Sequence, residues 1–333
     1  MNAKLKSMLA RHETILVVVL MVEIIFFSLA GRRFATADNA FNIVRHSVEI
    51  GLLALAMTPI ILTAGIDLSV GSTLGLCAIL FGKLWRDVGL PPWLAGLVTI
   101  VIGAACGLVN GGLITRLRLP PLIVTLATFS LFRGLAEAIT RGVDAFTNFP
   151  PSFLFLGAGA IAGIPTQAWL FGFLAVAFWL LVHRHVWGRT FRAIGFSPEG
   201  ARYAGIPVER RLLIIYALAG AIAGLAALTY TARLGTAKAD AGMGYELFAI
   251  TAVVLGGASI FGGVGSIHGT LLGVAILAVL NNGLSRVTGL MNIASELSGV
   301  LTGALLIVAL AAGTLPKQLA AWRARRHIAR VNQ

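Results

Sequence analysis

The sequence predicts an all-α protein built into a lipid bilayer: a polytopic helical bundle of about ten transmembrane segments, some of them broken. Three observations predict it. Of 333 residues, 58% are hydrophobic and 12% are charged, about half the roughly 25% charged share of soluble domains. Apolar runs recur near the ~20 residues that a helix needs to cross the hydrocarbon core, and mean hydropathy is +0.90. The basic residues sort by loop, as cytoplasmic loops of membrane proteins do.

The first run, Ile15–Leu29, closes on Ser28-Leu29-Ala30, which resembles a signal-cleavage site; Glu23 within the run argues for a retained helix instead. Glu49–Ala64, Ser69–Leu84, Trp93–Thr115 and Leu122–Thr140 follow. A stretch rich in Pro and Phe, Arg141–Gln167, comes next. It is expected outside, either as a re-entrant or interfacial segment that meets a partner or as a plain loop with a short amphipathic helix. Ala168–Val182 leads into a polar, basic loop, 183–211, and Leu212–Thr231, Leu247–Phe261, Thr270–Leu284 and Ile293–Ala311 complete the set before a basic tail, 315–333. The chain, 1–333, reads as a single transmembrane domain.

An even number of spans puts both termini on one side. With that side inside, it collects Lys4, Lys6, Arg11, Arg116, Arg118, the arginines of 183–211 and those of the tail. The pair Arg32 and Arg33 falls outside and runs against the rule. The net charge of +13 is therefore a topological signal. It forms no single patch interleaved with aromatics, so nucleic acid is not an expected partner; the lipid bilayer is. Cys77 and Cys106 lie in apolar runs and read as free buried thiols.

An internal similarity relates Leu55–Leu62 to Phe248–Leu255. Each is followed by a Gly-rich break and then by Gly71-Ser72 or Gly265-Ser266. Farther on, Asn110-Gly-Gly-Leu113 echoes Asn281-Asn-Gly-Leu284. Transporters place solute sites at the interface of such repeats; here both copies run outside to inside. Glycines four apart, as in Gly103/Gly107/Gly111, Gly220/Gly224, Gly269/Gly273 and Gly299/Gly303, predict close helix packing.

Polar residues inside apolar runs are the candidate solute path. Asp67 sits in the first break, Thr63–Gly71, with Ser69 after it. A carboxylate at that depth is costly, so it either caps the helix that starts at Leu68 or lines a water-filled path. Ser259, in the second break, offers a hydroxyl; Glu49, Asn110 and Asn282 offer hydrogen bonds from within spans. Arg133 and Glu137, four apart on one helix face, are expected to pair. His268 has no second ligand at metal spacing, so no metal site is expected.

In the polar loop, Ser197-Pro198-Glu199 is a helix start: Ser is a preferred N-cap, Pro suits the first position and the acid favours the dipole. The helix Pro198–Ala204 should stop at Gly205, before Pro207. So short a helix lying in water gains little unless it docks into something. No G-x-x-x-x-G-K-[ST] loop is present, so no nucleotide is bound and no catalysis is expected; energy must come from another chain or an ion gradient.

Taken together, GIDLSVGS (65–72), GLVNGGLITRLRLPPLIVTLAT (107–128), GRTFRAIGFSPEGARYAGI (188–206), GMGYELFAITAVVLGGASIFGGVGSIHGT (242–270) and NNGL (281–284) resemble the ribose-type sugar permeases of bacterial ABC importers. The likeness is greatest to the branch holding the autoinducer-2 and rhamnose permeases, and it covers nearly the whole chain. It implies the ABC-importer permease fold in the bacterial inner membrane, both termini cytoplasmic. It also implies a second permease chain, two ATPase subunits that carry ATP and Mg, and a periplasmic solute-binding protein. Gly188, Arg189, Ala193, Gly195, Ser197, Glu199, Ala201 and Gly205 would couple to the ATPase. Ser197-Pro198 departs from the expected Asn and variable residue, but Ser-Pro also starts a helix. Import would run by alternating access. Two rivals are an ion-coupled secondary transporter using Asp67 or Glu49 as its coupling acid, and a non-transporting membrane scaffold.

Overall fold

A computed structural model describes residues 12–142, 145–287, 293 and 296–309. Lys4, Lys6, Arg11 and the basic tail lie outside the described residues. Ten helices follow the ten predicted segments in order. Seven are long and apolar enough to cross a membrane: α1 (His12–Ala30), α2 (Ala37–Leu62), α4 (Pro92–Arg116), α5 (Pro121–Thr140), α7 (Thr166–Trp179, continued by a π turn Leu180–Arg184), α10 (Val208–Leu234) and α12 (Ile267–Leu284). Three are shorter: α3 (Val70–Arg86), α11 (Tyr245–Leu255) and α13 (Glu296–Ala309). Between them lie α6 (Pro151–Ala158), a two-stranded hairpin β1 (Ala160–Ile161) and β2 (Ile164–Pro165), and two further short helices, α8 (Val186–Phe196) and α9 (Pro198–Tyr203).

Two boundaries differ from expectation. α2 begins twelve residues before Glu49, at Ala37, where the Thr36 side chain accepts the Asn39 N–H at 3.2 Å. Its first three turns carry Asp38, Asn39, Asn42, Arg45, His46 and Ser47, so hydropathy hides them. α11 stops at Leu255 instead of Phe261, because Gly256 and Gly257 turn the chain out of the helix. Its 11 residues span about 16 Å at ~1.5 Å each, half of a bilayer core.

α2 runs through the middle of the bundle. Its residues from Gly51 to Leu62 are buried without interruption. α7, α10, α11 and α12 pack around it, while α1, α4, α5 and the far side of α7 turn apolar side chains such as Val22, Val101, Ile123 and Phe173 outward. With lipid outside, apolar burial cannot drive this packing, and small residues let backbones meet instead. The α4–α10 pair shows it. The helices run antiparallel, with Gly111 against Leu213, Gly107 against Tyr216, Gly103 against Gly220 and Gly96 against Leu228. A Cβ at Gly107 would strike the Tyr216 carbonyl oxygen. Gly269 and Gly273 likewise seat α12 on Gly256 and Ala252 at the end of α11, whereas Gly299 and Gly303 have nothing within 4 Å of a Cβ position.

The stretch Arg141–Gln167 packs onto the bundle. Phe149 and Phe153 stack with Phe81 of α3, with ring centroids 5.4 and 4.7 Å from it, and Phe146 pairs with Ala237 as an isolated bridge. These aromatics are buried against their own chain; Phe155 is exposed.

The internal repeat holds only in part. α2 and α11 both run into a Gly-rich break at the same end, and each break leads to a new helix. Asn110, however, lies in the second helix after its break and Asn281 in the first. The Asn-Gly echo is therefore not a structural repeat.

Gly107→Ala should destabilise by about 1–3 kcal/mol, the usual cost of overpacking. Gly112→Ala, on the same helix with nothing within 4 Å of its Cβ position, should be neutral or gain up to ~1 kcal/mol. Thermal unfolding of the two purified variants in detergent checks the contrast; equal midpoints would show that the α4–α10 approach is not the constraint.

Candidate functional site: a coupling surface beneath two broken helices

The loop 183–211 folds into a helical elbow. α8 buries Gly188, Thr190, Phe191 and Ile194 and leaves Arg189 in solvent. Arg211 lies over the Trp187 ring at 4.2 Å, which fastens the start of α8 to the start of α10. Ser197 ends α8 and caps α9, its Oγ accepting the Gly200 N–H at 3.0 Å. With Pro198 at the first position and Glu199 in the first turn, α9 starts as its sequence dictates and ends one residue earlier than expected, at Tyr203. Gly205 follows at φ +79°, a left-handed conformation that a side chain would strain.

Only Ala201 of α9 faces inward, into a small apolar nest with Ile194 and Val208. The rest stands in solvent, with Tyr203 at 93% exposure, and Phe196 at the end of α8 is 74% exposed. The eight expected coupling residues thus divide. Arg189, Ser197, Glu199 and Gly205 present the outer surface, while Gly188, Ala193, Gly195 and Ala201 shape the elbow behind it.

Behind α8 the two breaks meet. The Leu62 carbonyl, at the end of α2, accepts the Gly263 N–H at 2.9 Å. Gly195 lies against both, and a Cβ there would collide with the Leu62 oxygen and the Gly263 nitrogen. Arg192 donates to the carbonyls of Val182 at 3.2 Å and Gly265 at 3.4 Å. His183 Nε2 accepts the Ile267 N–H at 3.1 Å. At the second break, His12 Nε2 meets the Leu255 carbonyl oxygen at 2.8 Å, and Ser266 Oγ donates to Glu13 at 3.2 Å. Among the described residues no group of His, Cys, Asp and Glu could hold a metal ion.

The six solute-path candidates do not converge. Asp67, Ser69 and Asn110 form one closed, buried cluster. Asp67 Oδ1 accepts the Ser69 N–H at 2.8 Å and its hydroxyl at 2.7 Å, and Asn110 Nδ2 donates to Ser69 Oγ at 2.8 Å. That is a side-chain turn leading into α3, not the expected N-cap: the helix starts at Val70 instead of Leu68, and its N-cap residue, Ser69, makes no side-chain cap hydrogen bond. The cluster lies six residues from the end of α4 at Arg116, and not at mid-helix. Glu49 is fully buried and paired with Arg233 of α10 at 2.8 Å. Ser259 folds its own loop, its Oγ accepting the Phe261 N–H at 3.3 Å. Arg133 does not pair with Glu137, which faces outward. Its guanidinium reaches instead to the carbonyls of Ala239, Ala241 and Gly71, holding the irregular segment before α11.

Of the six, Asn282 lines a cavity. It accepts a hydrogen bond from Asn39 Nδ2 at 2.9 Å and faces a space of about 520 Å³ between α2, α11 and α12. Asn42, His46, Ser47, Tyr245 and Asn281 share that wall and were missed from sequence. The available signal was the i, i+4 spacing of Asn42 and His46 on a helix that hydropathy did not reveal.

Residues 39–310 match the family described as "Branched-chain amino acid transport system / permease component". The chain is similar to the "Autoinducer 2 import system permease protein LsrD" of Escherichia coli (strain K12), 38% identical over 94% of this chain and 96% of that protein. The same protein of Shigella flexneri matches with the same identity and coverage. That of Escherichia coli O157:H7 is 37% identical over the same shares. No solved structure matches. A multi-pass helical bundle, a helical elbow seated under two broken helices and a family match over most of the chain agree: the chain belongs to this family of importer permeases.

Proposed function

We propose that the chain is the permease subunit of an ATP-driven ABC importer that carries a sugar or sugar-like solute, such as autoinducer-2, rhamnose or a ribose-like molecule, across the bacterial inner membrane. One observation carries the reading: an exposed, rigidly capped helix, α9, is joined through Gly195 to the point where both broken helices end. Both termini face the cytoplasm in this reading. ATP and Mg belong to a partner ATPase pair, a periplasmic binding protein delivers solute, and a second permease chain completes the pore.

The motion follows from the contacts. Movement of an ATPase displaces α9, and Ser197, shared between α8 and α9, passes it to Gly195 without a flexible joint. The backbone of Gly195 presses on Leu62 and Gly263, so α2 and the α11–α12 pair move together. The breaks at 63–69 and 256–266, with positive φ at Ala64, Gly257, Gly262, Gly263 and Gly265, absorb the change. Each state must be favoured by a different set of partners, so the chain alone should not pump.

Tagged protein purified from native membranes in mild detergent should bring an ATPase with it. The variant Glu199→Arg should lose it while eluting as the parent does, since Glu199 is solvent-exposed in the first turn of α9. No ATPase in either sample, even after cross-linking, would move ion-coupled transport to first place.

Asp67→Asn separates the readings independently. An Asn oxygen still accepts the Ser69 N–H, so a role in holding that turn predicts uptake within a few-fold of the parent, and Asp67→Ala a stability loss of about 0.5–2 kcal/mol. Complete loss of uptake in Asp67→Asn, with a folded protein, would make the carboxylate a proton carrier.

A further inference from the structure

We propose that the cavity between the outer halves of α2, α11 and α12 is a solute site selective for negatively charged, polyhydroxylated molecules of about monosaccharide size. The proposal rests on the permease reading above, names the place where solute binds and narrows the sugar-like solute to an anionic one, which sets aside uncharged rhamnose and ribose.

The cavity's volume of about 520 Å³ lies within the ~300–1,000 Å³ range of small-molecule sites. Its wall alternates amide, hydroxyl and imidazole groups from two helices: Asn42, His46 and Ser47 from α2, and Asn281, Asn282 and Ser285 from the end of α12. Tyr245 and Phe248 add ring faces from the start of α11. Such a wall hydrogen-bonds hydroxyls and packs on the C–H face of a ring. The Asn281 amide oxygen is held by the Ser298 hydroxyl and the Asn282 amide oxygen by Asn39, which orients both side chains.

Charge narrows the class. No Asp or Glu lines the cavity, whereas Arg286 does. A wider space of about 620 Å³ beside it is lined by Arg32, Arg33, Ser285 and Arg286. The two arginines that break the positive-inside pattern are thus brought to the mouth of this site. They are fixed there by backbone: Gly31 bridges Val287, and the Arg32 N–H donates to the Arg286 carbonyl at 2.9 Å. Arg45 stands on the same stretch of α2. Against Arg32, Arg33 and Arg286, the carboxylates of the adjoining helix ends are Asp38 in the first turn of α2, Glu246 in the first turn of α11 and Glu296 at the start of α13; Glu246 lies within electrostatic reach of Arg133. Glu49, one turn farther along α2, is neutralised by Arg233. The balance stays positive, and a cleft of one sign raises the local concentration of opposite charge by 10–10³-fold on the order-of-magnitude scale.

The test uses charged thiol reagents as small probes, because the native Cys77 and Cys106 are buried. Asn282→Cys and, separately, Ser47→Cys would be labelled from the outer side with 2-sulfonatoethyl and with 2-trimethylammonioethyl methanethiosulfonate. Each rate is divided by that for a free thiol in solution. The expected anion-to-cation ratio is about 10 or more at low salt. It should fall toward one in high salt, where screening shortens to a few Å, and in Arg32→Gln, Arg33→Gln, Arg286→Gln. Ile161→Cys, exposed on the hairpin at the same end, should show no such preference. A ratio of one or below at both cavity positions overturns the proposal. So does a ratio that survives loss of the arginines or is matched at Ile161→Cys. The same variants are checked for recovery of the ATPase: its absence from all of them, parent included, would fail the importer reading while leaving the ratios readable.

Discussion

The structure depends on one backbone seam. The end of α2 and the break after α11 are stitched by the Leu62 carbonyl and the Gly263 N–H, and Gly195 of the elbow lies on that stitch. A side chain at Gly195 would separate the elbow from both helices. Two backbones in van der Waals contact transmit displacement without side-chain rotamers to take up the slack. The same glycine-mediated contact recurs between α4 and α10 and between α11 and α12. A bundle with lipid around it has no hydrophobic force to tighten it, so these close approaches fix which helices move as one body.

Two partly buried cations hold the other half of the bundle, and they act differently. Arg233 pairs with Glu49, joining the last turn of α10 to the middle of α2. Removing either partner leaves an uncompensated charge, which costs more than the pair contributes. Arg133 works through carbonyls. It collects the free C=O groups of Ala239, Ala241 and Gly71, in and beside a segment that cannot form a helix ladder. Irregular backbone at this depth persists only where protein satisfies it. Arg133 therefore allows α11 to begin halfway through the bundle, which places Tyr245 at the cavity wall.

Hydropathy made the ten segments legible because the bilayer imposes a length and an apolar composition on each. The elbow was legible because capping chemistry is local: Ser197, Pro198, Glu199 and Gly205 specify α9 within eight residues of each other. The cavity was not. Its α2 wall carries Asn42, His46 and Ser47, the residues that make the first three turns look like a loop. Polarity inside an apolar run flagged Glu49, Asp67 and Asn110, but composition does not say whether a polar group meets a protein partner or a solute. In these three it meets protein. Arg133 was assigned to Glu137 by helix spacing, and a tertiary partner more than a hundred residues away outcompeted the local one.

The seam and the cavity involve the same three helices. α2 ends at the seam and begins at the cavity, α12 begins beside the seam and ends at the cavity, and α11 lies between them. At ~1.5 Å per residue, the 18 residues of α12 place its two ends about 27 Å apart. The Thr58 and Thr270 hydroxyls, 2.8 Å apart, tie α2 to α12 one turn from the seam, so a tilt imposed there is shared by both. The wall formed by Asn42, His46, Asn281 and Asn282 lies at their far ends, so helices tied at the seam would carry a displacement imposed there to the cavity as one body. In the import reading proposed above, this is how the elbow would act on the cavity at a distance, and neither would supply the link alone.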